Sequence, residues 1–244
     1  MPVDLSADQA PMYRALLNNW PSRRRLAVHT FRLPSVRTSD IIPNMIITVA
    51  SFKGGVGKST TALHLGAYFA KDALTIVVDG DPNRSITSWA RKGKLPFQVV
   101  DERQAARAAR ECKHLIVDTK ARPEPEDLKA LALGCDVLII PTTPDPLALD
   151  ALMLTLSALR MIGSDRFRIL LTIVPPKPIP EGELARQALK KAYLPLFRGE
   201  IRRIMAFQRA ALEGVTVDGV SDKRAPFGWE DYERIGKEVE RLNG

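Results

Sequence analysis

The stretch Met45–Ala70, MIITVASFKGGVGKSTTALHLGAYFA, gathers groups suited to holding phosphate. Gly54, Gly55 and Gly57 stand immediately before Lys58, Ser59 and Thr60, with Val56 inside the same loop. Glycine lets the backbone approach an oxyanion and adopt angles that side chains forbid. The amides of such a loop, with the start of the helix that follows, present partial positive charge to the anion. In that setting Lys58 suits the β- and γ-phosphates, Ser59 a Mg²⁺ ion and Thr60 the α-phosphate. A standard phosphate loop reads G-x-x-x-x-G-K-[ST]. Here Phe52 takes the place of its first glycine, and a second lysine, Lys53, precedes the phosphate-gripping one by five residues. A single mononucleotide site has no use for that extra cation.

Two carboxylate motifs follow in order. In VVDGDPNRS, Asp79 and Asp81 close an apolar run at two-residue spacing, so both can face the loop from a strand's end. One of the pair can support a metal's water shell while the other orients a water for attack on the γ-phosphate. In HLIVDTKARPE, Asp118 ends a second apolar run, at the place where an acid holds Mg²⁺ through water. Either motif alone is as compatible with a solvated turn; after a phosphate loop they acquire a common purpose.

Elements must place these groups together, and the sequence supplies a regular series. The short β-branched runs IITVA, LTIVVD, HLIVD, DVLIIP and RILLTIV read as strands buried on both faces, as parallel sheets require. Helices are expected at 58–70, 85–92, 102–110, 125–133 and 146–162, then at 182–192, 205–213 and 229–242. Strand–helix alternation predicts an α/β, doubly wound, mostly parallel sheet flanked by helices. The domain is expected to run over 45–244. Residues 1–44, with five prolines and the run SRRRL, read as a basic extension holding one short helix, or as the product of a misassigned start.

The chain of 244 residues carries a formal charge of +8, which favours an acidic partner, nucleic acid first. Cys112 and Cys135 form no ligand pair and no disulfide framework, which points to a reducing cytoplasm. His29, His64 and His114 lack ligand spacing. No apolar run approaches the roughly 18 residues needed to span a bilayer, and no signal peptide is recognisable.

The order KGGVGKST, then D-x-D-P, then apolar-D-T, then DVLIIPTTPDPLALDAL resembles the ParA/MinD group of deviant Walker ATPases, from Met45 to near the C-terminus. The resemblance implies the P-loop fold with ATP and Mg²⁺ as cofactors. It implies that Lys53 contacts ATP bound to a partner subunit, so that two protomers sandwich two nucleotides. It also makes Asp81 the catalytic aspartate, with Asp79 and Asp118 on the metal side. The segment LTIVPPKP matches the region over adenine, with Pro175 and Pro176 as candidate contacts. One departure stands out: relatives commonly carry a proline–glycine switch after the third aspartate, where this chain has TKARPEPE with Lys120 and Arg122.

The stretch LFRGEIRRIMAFQRAALEGVTV resembles the part of small ParA proteins that binds DNA without sequence preference, which makes Arg198, Arg202, Arg203 and Arg209 the candidates. If each protomer neutralised roughly three phosphates, pairing would double the salt slope from about −2.7 to about −5.4. The function these features imply is an ATP-dependent, dimerising, nucleoid-associated ATPase that positions a plasmid, a chromosome origin or a protein organelle. A partner of ParB type or a cargo adaptor would stimulate hydrolysis. A MinD-like membrane-cycling regulator is the first alternative, but it needs a C-terminal helix with a wide apolar face, and WEDYERIGKEVERLNG is acid-rich. Metabolic relatives, a reductase or an amide ligase, require cluster cysteines or a second catalytic segment that are not recognisable here.

Overall fold

The structure is a computed structural model that describes residues 45–243. The expectations for the N-terminal extension lie outside the described residues. Six parallel strands form the sheet: β1 (Met45–Val49), β2 (Thr75–Gly80), β3 (Gln98–Asp101), β4 (His114–Thr119), β5 (Val137–Thr142) and β6 (Phe167–Leu171). Their order is β3-β2-β4-β1-β5-β6. The chain leaves β1 and winds first to one side of the sheet, then to the other. The end of β1 is therefore the place where a crevice opens above the strands' carboxyl ends.

Five of the strands match the apolar runs. The sixth, β3, has no such run: Gln98 is exposed and Val99 half-buried, as befits an edge that packs on one side only. The opposite edge, β6, is covered by its own chain. The Phe197 amide donates to Ile169 O, the Ile201 amide to Leu171 O and the Arg203 amide to Val174 O, at 2.9, 2.9 and 2.8 Å. Those bonds consume polar groups that would otherwise invite another strand.

Among the described residues seven α-helices of four residues or more flank the sheet up to Glu213, and an eighth follows: α1 (Lys58–Phe69), α2 (Ser85–Ala90), α3 (Ala105–Ala108), α4 (Pro125–Leu133), α5 (Pro146–Ile162), α6 (Glu181–Lys191), α7 (Ala206–Glu213) and α8 (Ala225–Asn243). One face of the sheet packs Leu138 and Ile140 beneath Leu128, Leu149, Leu152 and Leu156. The other packs Ile47, Ile116 and Ile139 beneath Leu63, Leu65, Tyr232 and Ile235. On that side α1 and α8 lie in close contact, because a side chain at Gly236 would overlap the Tyr68 ring.

A buried histidine ties the helix after the phosphate loop to the C-terminal region. His64 Nδ1 lies 2.7 Å from Thr60 O, and its Nε2 accepts the Val217 amide at 3.0 Å. An accepting Nε2 requires the neutral ring, with the proton on Nδ1. The ring stacks on Tyr232 at 4.7 Å, and Tyr232 Oη lies 3.2 Å from Thr61 Oγ1. Burial lowers the His64 pKa to about 4, against weaker opposition from the Thr60 carbonyl and Asp218. The folded value is depressed, so the stabilising effect is present above pH 6.5 and lost as pH falls towards 4. Between pH 7 and pH 5 this group alone should remove about 2 kcal/mol of stability. Denaturant melts at the two pH values should show that loss in the wild type, and a difference smaller by about that amount in His64→Gln.

Candidate nucleotide-binding site

Strand register brings the three acids to one end of the sheet. Asp79 pairs with Asp118 across β2 and β4, and Asp118 with Val49 of β1. Register partners in neighbouring strands lie about 4.8 Å apart, so Asp79 and Asp118 stand side by side beneath the loop that leaves β1. That loop turns through left-handed backbone at Gly55 (φ 75°) and Gly57 (φ 83°), where a side chain would be strained. Thr172, at the end of β6, pins it from below: its hydroxyl lies 2.8 Å from Val56 O and 3.1 Å from Thr142 O. Sequence reasoning missed Thr172, because nothing local marks a threonine whose partners stand 116 and 30 residues away.

The charges at this end are out of balance. Asp118 is fully buried, and neither carboxylate oxygen has a hydrogen-bond partner among the described residues. Burial pushes its pKa up to about 7, while the Ser59 hydroxyl and the Lys58 ammonium beside it pull the other way. Asp79 is equally buried; its Oδ2 accepts the Thr87 amide and hydroxyl at 2.8 and 2.7 Å, and its Oδ1 is unpartnered. Asp81 lines the groove above, its Oδ1 held by the Asn83 amide at 2.8 Å. Lys58 Nζ donates to the Lys53 carbonyl at 3.2 Å. Burial lowers the Lys58 pKa, opposed by Asp118 and Asp81.

Three orphaned carboxylate oxygens are costly in a protein interior unless something completes them. A hydrated Mg²⁺ beside Ser59 fits that deficit. Among the described residues no cluster of three or more His, Cys, Asp or Glu side chains is placed to hold a metal unaided.

Two cavities flank the loop. A groove of about 690 Å³ runs from Gly54, Gly55, Gly57, Lys58, Ser59 and Thr60 past Asp81 to a far wall that includes Ile201–Ile204, Phe207 and Tyr232. Its size and its cationic, glycine-lined end suit a nucleoside triphosphate. A second cavity of about 550 Å³ lies across the loop, lined by Lys53, Gly54, Gly55, Val56, Asp145, Pro175, Glu181 and Arg203. Pro175 therefore borders the second cavity, and Pro176 borders neither.

Lys53 belongs to the second cavity and not to the phosphate groove. Its Nζ pairs with Asp145 Oδ1 at 2.8 Å. Asp145 also caps α5 through the Ala148 amide at 3.0 Å and accepts the Thr143 hydroxyl. Burial opposes ionisation there, but Lys53, Thr143 and the Ala148 amide outweigh it and leave the Asp145 carboxyl below its ordinary range. In the unusual TKARPEPE segment, Lys120 pairs with Asp127 at 2.9 Å. Arg122 adopts φ 54° and folds back so that its Nε donates to Phe52 O at 3.3 Å.

The four arginines proposed for DNA fall into different surroundings. Arg202 makes a two-pronged pair with the buried Asp231, both contacts at 2.7 Å, and lies over the Phe227 ring. Arg209 pairs with Asp222 at 2.6 Å. Arg203 lies between the two cavities, and Arg198 is exposed with no ion pair among the described residues. Charges already matched by a carboxylate have less to offer a phosphate, so Arg202 and Arg209 are the weaker candidates.

Residues 47–240 match the CobQ/CobB/MinD/ParA nucleotide binding domain. A curated relative, the maintenance of carboxysome distribution protein A of Gloeobacter kilaueensis, is 33% identical over 203 residues, covering 80% of this chain and 94% of that one. Among solved structures, a putative plasmid partition protein of Borrelia burgdorferi bound to AMPPNP superposes with a TM-score of 0.63 at 19% identity, over 82% of this chain and 99% of that one. The MinD cell division protein of Aquifex aeolicus gives a TM-score of 0.64 at 11% identity, over 81% and 97%. At such identities the two superpositions speak for the fold.

Proposed function

This chain belongs to the CobQ/CobB/MinD/ParA nucleotide-binding family, and from that membership we propose that it is an ATPase of positioning type. It binds ATP, pairs with a second copy through the two nucleotides, and in that state holds DNA without sequence preference. Hydrolysis, stimulated by a partner of ParB type or a cargo adaptor, releases it. The cargo class is a plasmid, a chromosome origin or a protein organelle; the name of the Gloeobacter relative speaks for the last. Among the described residues no helix is long and apolar enough to cross a membrane, and the proposed location is the nucleoid.

The observation that carries this reading is the direction of Lys53. A lysine in a phosphate loop that faces away from its own phosphate groove is available to a nucleotide on another molecule. Charge delivered across an interface can stabilise the transferring phosphoryl group as an arginine finger does. Within one protomer, Lys58 and the loop amides hold the phosphates, and Asp81 orients the attacking water. Ser59 would ligate Mg²⁺ directly, with Asp79 and Asp118 holding its waters; bound there, the ion would neutralise charge on the β- and γ-oxygens.

Sizing chromatography and a gel shift on arbitrary duplex DNA, each run with ADP and with a non-hydrolysable ATP analogue, test the proposal. The expected result is a dimer and retained DNA with the analogue alone. A monomer in both states, or equal retention in both, overturns it.

A further inference from the structure

The outer face of α5 carries an apolar seam that the nucleotide site does not use. The inward side chains of this helix, among them Ala148, Leu152, Thr155 and Leu159, are buried. Leu147, Leu154 and Met161 face the other way and are 71%, 62% and 86% exposed. Half-buried Ala151 and Ala158 stand between them, and exposed Asp150, Ser157 and Arg160 flank the row. The spacing alternates between four and three residues, which is the a/d seam of a coiled coil. Alanine at every second position lets another helix backbone come close. Single exposed apolar side chains are ordinary on a protein surface, but a periodic row about 21 Å long on one helix is not.

The chain enters the fold at one end of this seam. Because α5 follows β5 and leads into the parallel β6, it runs from the carboxyl ends of the strands back to their amino ends. Its last turn, with Met161, therefore lies at the end of the sheet where β1 begins at Met45. Backbone bonds tie that end together. The Asp136 amide donates to Ile46 O at 2.9 Å, the Ile46 amide to Asp136 Oδ2 at 2.7 Å, and the Leu138 amide to Arg166 O at 2.9 Å. Residues 1–44 thus join the domain at the Met161 end of α5. A chain the length of residues 21–44 spans about 80 Å when extended, so the whole seam is within reach of what precedes it.

We infer that residues 12–20 of this chain, MYRALLNNW, dock as a helix on α5 across Leu154, Ala158 and Met161. Met12, Tyr13, Leu16, Leu17 and Trp20 recur on one face of such a helix. From Met12 to Trp20 a helix rises about 12 Å, against about 10 Å from Leu154 to Met161. Tethering favours this occupant over a separate molecule. A seam about 21 Å long and one helix wide presents roughly 200 Å², against about 800 Å² per partner in a stable bimolecular interface. A flexible tether instead supplies an effective concentration on the order of millimolar. The docking does not depend on the ATPase reading, since none of its residues lines the nucleotide groove.

Hydrogen exchange of the full chain, read by mass spectrometry, tests the docking. Amides of residues 12–20 should exchange at least tenfold more slowly in the wild type than in Leu154→Glu/Met161→Glu, whose substituted side chains are exposed and lie outside the core. Leu16→Ser/Trp20→Ser should lose the same protection, and exchange in β1 and β5 should be unchanged in both variants. The protection should also be constant over about a hundredfold range of protein concentration. Residues 12–20 that exchange as an unstructured peptide overturn the inference, as does protection that survives the α5 changes. Protection that grows with protein concentration assigns the seam to a second copy and overturns it too. So does an intact mass from the native cell that begins at Met45, which removes the occupant.

Discussion

Replacing Lys53 with alanine is expected to leave ATP affinity within about threefold of the wild type while lowering the hydrolysis rate by about 10³-fold or more and abolishing the ATP-dependent dimer. Affinity survives because the groove proposed for the chain's own phosphates is lined by Gly54, Gly55, Gly57, Lys58, Ser59 and Thr60 without the Lys53 side chain. Pairing fails because two like-charged nucleotides would then face one another with no cation between them. In the free protomer Lys53 is held by Asp145, and that pair is partly exposed, with side-chain accessibilities of 30% and 47%. A surface pair of this kind contributes about 1 kcal/mol or less. A thousandfold rate effect corresponds to about 4 kcal/mol, so leaving Asp145 is a small cost beside the cross-subunit gain. Sizing chromatography with the non-hydrolysable analogue, beside an equilibrium ATP-binding curve, separates the two effects. A Lys53→Ala protein that still dimerises contradicts the sandwich.

The phosphate loop and the end of β4 could be read directly from the chain, because their chemistry is local. Glycines, a lysine and a hydroxyl between a strand and a helix point to a phosphate site within one short stretch of chain, and an acid after an apolar run marks a strand's end. The sheet was legible for a related reason: strands buried on both faces must be continuously apolar. QVVD at 98–101 escaped because an edge strand need satisfy that demand on one side only. The N-terminus of α8 was placed at Trp229 and lies at Ala225. Pro226 and Gly228 disguise the first turn, yet Gly228 suits a close approach there: a Cβ would sit 2.8 Å from Ile204 Cδ1 and displace it. The basic residues were the least legible. A sequence displays a cation's position, but whether its charge is free depends on a partner far along the chain, as Asp231 is from Arg202 and Asp145 from Lys53.

The departure at TKARPEPE has a physical meaning in the folded chain. Where the resemblance implies a proline–glycine switch, this chain ties the segment down at both ends. Lys120 holds Asp127 of α4, and the Arg122 amide and side chain donate to Ser51 O and Phe52 O at 3.3 Å each. In the proposed cycle, a movement driven by loss of the γ-phosphate would pull against the mouth of the phosphate loop, to which Arg122 is bonded.

Asp81→Ala is expected to slow hydrolysis by about 10²- to 10⁴-fold while preserving ATP binding, so that the protein accumulates as an ATP-bound dimer that stays on DNA. The three acids differ in what remains free on each. Asp118 is fully buried beside Ser59 and Lys58, where the proposed metal would bind. Asp79 spends one oxygen on the amide and hydroxyl of Thr87, anchoring α2, and its other oxygen is unpartnered, which in the proposed site would leave it for the ion's water shell. Asp81 alone of the three lines the groove, with Oδ1 fixed by the Asn83 amide, which leaves Oδ2 to accept a proton from water. In the proposed mechanism that geometry would orient a nucleophile without relying on Asp81 for nucleotide affinity. Removing it should therefore separate binding from turnover, as the Lys53 change separates binding from pairing. Single-turnover hydrolysis measured beside the lifetime of the DNA complex checks the assignment. Wild-type turnover in Asp81→Ala would pass the water-orienting role to another group.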